Sequence, residues 1–145
     1  MSKPTTPELD LILTQLTALQ AISAGADWHT DIGERVYLGR LTDDDPPLHA
    51  ALDSVVTDAG EDLAAAVCTV TWFGIVPLDD PMTPGSDLRT ALLVQSDMRA
   101  ALVGACATGT HEVAASVARR DERSNYAVVT VTTQTPIITE GRFNG

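Results

Sequence analysis

The side chains that could do chemistry in this chain are three histidines, two cysteines, a handful of serines and several clustered carboxylates. His29, His49 and His111 lie far apart, and none belongs to a paired-histidine zinc motif. Each reads as a surface or turn histidine. Cys68 and Cys106 have no metal-ligand spacing and read as reduced, buried small hydrophobes. A Cys106–His111 pairing is conceivable as a thiol–imidazole couple, but the two are simply neighbours across a loop. Ser54, Ser86, Ser96, Ser116 and Ser124 sit in no nucleophile elbow, and no phosphate-cradling loop or dinucleotide fingerprint is present. Adjacent carboxylates at Asp43, Asp44 and Asp45 could attract a divalent ion, yet the run lacks the spaced acids and glycine of a calcium loop. Acid–base work by paired carboxylates needs a concave site, and nothing in the sequence builds one. The expectation is therefore no catalysis, no cofactor and no bound metal.

Charge is distributed unevenly. The chain of 145 residues carries a net charge of −11. Between Leu41 and Leu88 stand Asp43, Asp44, Asp45, Asp53, Asp58, Glu61, Asp62, Asp79, Asp80 and Asp87, without one Lys or Arg. Such a belt cannot grip nucleic acid, because phosphate contacts need cations. It serves solubility at the least. The remaining sequence nearly balances its acids and bases.

The elements that must position these groups follow from periodicity. A chain this long fits one domain, 1–145, and needs no staple. Apolar content of 44% and a mean hydropathy of +0.06 are ordinary for a folded chain, and 4% aromatics imply an aliphatic core. No apolar run reaches the roughly 20 residues of a membrane span, and the start of the chain lacks a signal peptide's apolar segment. Residues 1–6 form a polar arm. Thr6 can cap a helix with Pro7 in its first position. Leu9, Ile12, Leu16, Leu19 and Ile22 form one stripe, widened by Leu13, with Gln15 and Gln20 off it. Ala24-Gly25-Ala26 closes that helix through the left-handed conformation open to glycine.

Trp28–Leu41 then leads through Asp27, Thr30 and Asp31, all turn formers, and a bend at Gly33. It continues into a short strand, Arg35-Val36-Tyr37-Leu38, that Gly39 stops. Trp28 reads as a lid on the core. Residues 42–47 are an acidic, Pro-containing loop, and 49–57 reads as a weak strand, with a helical turn as the alternative. Leu63 to Pro77 is the clearest strand, with Ala66, Cys68, Val70, Trp72 and Val76 on one face. Both faces turn apolar near Trp72-Phe73, so both should be covered there. Thr83, Pro84 and Asp87 open a second helix with Leu88, Ala91, Leu92, Met98 and Leu102 on one face, and Gly104 stops it. His111 to Arg120 and Tyr126 to Thr135 alternate as an antiparallel hairpin, and Pro136 ends the pairing. The sum is an α+β, two-layer fold. Its mixed, mainly antiparallel sheet has four to five strands, with two main helices on one face.

The wording of the junction, a His-Thr-Asp turn then Arg35-Val36-Tyr37 followed by Gly39-Arg40, resembles the tail terminator proteins of long-tailed bacteriophages, the minor tail protein U type. The element order matches over nearly the whole chain, and the sequence departs from the family pattern after Thr42. The resemblance implies a structural virion protein at the neck-proximal end of the tail, assembled in a host cytoplasm. Subunits of that kind form a homo-oligomeric ring, a hexamer by analogy, that caps the tail tube and offers a surface to the head-completion or neck protein. DNA passes through without specific binding, and no membrane is involved. On that reading Asp43, Asp44, Asp45, Asp79 and Asp80 are candidates to face the pore. Trp72, Phe73, Arg120, Arg123, Arg142 and Phe143 are candidates for contacts with neighbours, the last two from a tail at 140–145. Another neck or head–tail connector ring remains the alternative, with a small ligand- or metal-binding domain behind it.

Overall fold

A computed structural model of the chain describes residues 3–39, 41, 47–58, 65–78, 88–104, 109–119 and 126–138. In chain order these form helix α1 (Pro7–Gln20), a 3-10 turn (Ile32–Glu34) and strands β1 (Val36–Tyr37), β2 (His49–Asp58) and β3 (Ala65–Pro77). Helix α2 (Arg89–Gly104) and strands β4 (His111–Arg119) and β5 (Tyr126–Ile138) complete it. The sheet order is β1-β2-β3-β5-β4. Only the β1–β2 pair is parallel; the other three are antiparallel. The fold is α+β, a five-stranded mixed sheet with two helices.

Both helices cover the same face. Strand alternation puts Ala66, Cys68, Val70, Trp72 and Val76 on it from β3, all buried, opposite Ile137, Thr135, Thr133, Val131 and Ala127 of β5. Gly74 belongs to this row, and a Cβ there would lie 3.2 Å from Met98 Sδ and 3.3 Å from Val94 Cγ1. The missing side chain lets α2 settle onto the sheet. Leu19, Ile22, Ile32, Met98 and Leu102 fill the space between layers, and Trp28 lies against this core as a lid.

Several sequence-based expectations need correction, among them the place of Leu92, which is 54% exposed and off the face through which α2 buries Ala91, Val94, Met98 and Leu102. First, α1 buries Leu11, Ile12, Gln15, Ala18 and Leu19, whereas Leu9 is 50% and Leu13 43% exposed. Ile12, Leu16, Leu19 and Ile22 of the expected stripe do pack on the core, but the buried face is rotated so that Leu11 and Gln15 enter it while Leu9 and Leu13 turn outward. Second, α1 ends at Gln20, and Gly25 does not adopt the left-handed conformation. The junction folds back instead, and Gly33 N donates to Ile22 O at 3.1 Å. A Cβ on Gly33 would fall 2.6 Å from Leu19 O and closer still to Ile22 O, so this glycine serves a backbone crossing. Thr6 occupies the N-cap position without a side-chain capping bond; its carbonyl accepts from Asp10 N. Third, pairing continues through Pro136, which sits opposite Val67. Strand β4 reaches only as far as Gln134 of β5, so beyond it β5 has no ladder on that side for proline to interrupt. Fourth, His49 is buried, not a surface residue. Its Nδ1 lies 2.7 Å from Pro47 O, and its ring stands between Tyr37 and Phe73.

The weak strand at 49–57 is real, as is the long strand before Pro77 and the β4–β5 hairpin. The acidic loop at 42–46, the opening of α2 at Thr83, Pro84 and Asp87, Cys106 and the 120–125 loop lie outside the described residues.

Candidate functional site

Two buried polar constellations hold the helices and junction in place. Asp97 faces the core side of α2 and is 3% exposed. Its Oδ2 accepts from Thr30 N at 2.7 Å, from Thr30 Oγ1 at 2.8 Å and from His29 N at 3.1 Å, and Oδ1 accepts from His29 N at 3.1 Å. These backbone and hydroxyl donors compensate its burial. In the second constellation Gln15, fully buried, accepts from Trp72 Nε1 through Oε1 at 2.8 Å. Its Nε2 donates to Thr133 Oγ1 at 3.1 Å. One amide thus ties α1 to both central strands. Among the described residues no buried side-chain nitrogen or oxygen lacks a hydrogen-bond partner. Neither group opens onto a cleft.

The sequence signal for both was weak. A glutamine off the apolar stripe and an aspartate beside Met98 look like ordinary surface residues. The available clue was that Leu11, Ile12, Ala18, Leu19 and Ile22 make an equally good apolar face once Gln15 is allowed into it.

Where β2 begins, the sheet face away from the helices is covered: His49, Ala51 and Ile75 are buried there. The sheet face away from the helices carries Thr69, Thr71 and Phe73 from β3, Thr130, Thr132 and Gln134 from β5, and Ala114, Ser116 and Ala118 from β4. Thr71 and Thr132 bond across the strands at 3.0 Å, and Gln134 Nε2 donates to Thr69 Oγ1 at 3.3 Å. Among the described residues no helix packs there, and no Lys or Arg stands on that face. Two shallow hollows lie elsewhere. One runs along Leu13, Thr17 and Ala21 of α1, the other between Arg99, Val103 and His111. At the second, Arg99 Nε donates to Glu112 Oε1 at 2.5 Å and Nη2 to Oε2 at 3.0 Å. The hydrogen bond and then the charge of Glu112 push the guanidinium pKa upward. No group of three or more His, Cys, Asp or Glu with metal-holding geometry occurs among the described residues.

The residues picked from the sequence fare differently. Trp72 is a correction: it is 0% exposed beneath the helices, held by Gln15, and its face is covered by the chain itself. Phe73, on the opposite face, is half-buried, and the His49 ring stands edge-on to it at 6.3 Å. Asp43, Asp44, Asp45, Asp79, Asp80, Arg120, Arg123, Arg142 and Phe143 lie outside the described residues.

No family model matches the chain, and neither does any curated protein. Among solved structures, a chain described as "Virion of native gene transfer agent (GTA) particle" is similar to it. The two share 15% sequence identity at a TM-score of 0.52, over 88% of this chain and 97% of that one. At that identity the likeness establishes a shared fold over nearly the full length of both.

Proposed function

We propose that this chain is a structural subunit of a phage-like virion, acting by surface matching and not by catalysis. Its finer role is that of a tail terminator: a homo-oligomeric ring that caps the tail tube, ends tube polymerisation and offers a surface to the neck. The observation that carries the reading is the full-length match in fold to a chain of a gene transfer agent particle. The Arg35-Val36-Tyr37 junction supports it independently. The site chemistry agrees, since the buried carboxylate and amide are spent on holding helices and the remaining polar surface is open. Ring contacts would be heterologous, one surface of a subunit meeting a different surface of the next. A permanent ring calls for roughly 2,000 Å² or more per contact. The acidic belt, Asp43, Asp44, Asp45, Asp79 and Asp80 in particular, is proposed to face the passage and repel DNA phosphates.

Mass photometry of the purified chain, alone and with tail tube protein, tests this. A closed oligomer that binds the end of the tube supports the terminator role. An oligomer that ignores tube protein and binds a head-side partner moves the chain to another connector layer. A monomer at every concentration, with or without tube protein, overturns the ring.

A further inference from the structure

We draw no further inference here: the strongest candidate, the apolar patch that Val56 (57% exposed), Val67 (39% exposed) and Pro136 form across β2, β3 and β5 on the sheet face away from the helices, carries nothing, because nothing in the structure shows what covers it.

Discussion

The helix side of this molecule and its bare sheet side obey opposite rules. On the helix side every buried polar group is matched. Asp97 takes its donors from one short turn, Gln15 joins two strands, and Gly33 allows one backbone to cross another at contact distance. On the sheet side, Thr71 pairs with Thr132, Phe73 is half-covered and, among the described residues, no strand lies beyond β4 or beside 52–58 of β2. The first side spends its chemistry on one fixed arrangement of its own elements. The second carries threonine, serine and alanine in the middle of the sheet, while His49, Ala51 and Ile75 at its end are buried.

That contrast can be broken most severely at Asp97. Asp97→Ala strands the His29 and Thr30 donors in a buried place and should cost about 4 kcal/mol, read as a drop in Tm of about 10 °C. Gly33→Ala drives a methyl into the Leu19 and Ile22 carbonyls and should cost about 3 kcal/mol; chemical denaturation measures it. Gln15→Leu leaves Trp72 Nε1 and Thr133 Oγ1 unmatched inside the core and should cost about 2 kcal/mol in the same experiment. The bare side sharpens the comparison by responding little. Thr71→Val removes a half-buried cross-strand bond and should stay within about 0.5 kcal/mol of the parent. Glu112→Ala frees a solvent-exposed guanidinium, and no resolvable change in Tm should follow. Equal losses on the two sides would erase the distinction.

Much of the sheet was legible from the sequence because a two-residue period is hard to disguise. The alternation in 66–76 grouped Ala66, Cys68, Val70, Trp72 and Val76 on one face, and the fold turns that face to the helices. The hairpin followed from two such runs in succession. What was hidden came from features that interrupt a pattern without advertising it. The bulge at Glu112/Ala114 turns Val113 outward, to 51% exposure, although simple alternation groups it with Ala115 and Val117. The helix faces were misjudged for a related reason. Two apolar stripes compete on α1, and only the partners of Gln15, over fifty residues away in sequence, decide between them. Trp72 looked like a residue awaiting a neighbour because its cover, the helix layer, is assigned by tertiary packing. Pro136 looked like a terminator because the length of β4 cannot be read from β5. The residues chosen for the passage and the tail lie outside the described parts, so their placement rests on charge and resemblance alone.

The chain contains just two tryptophans, and the fold gives them different surroundings. Trp72 is sealed between layers with its indole N–H bound, so its fluorescence should change when the whole domain melts. Trp28 is partly open in the segment just before the Asp97-bound turn, so its emission should answer first to loosening of that turn. Replacing one at a time with phenylalanine would turn the protein into a pair of unlabelled optical gauges. One would report on the interior as a whole, the other on the point where the first helix hands the chain to the sheet.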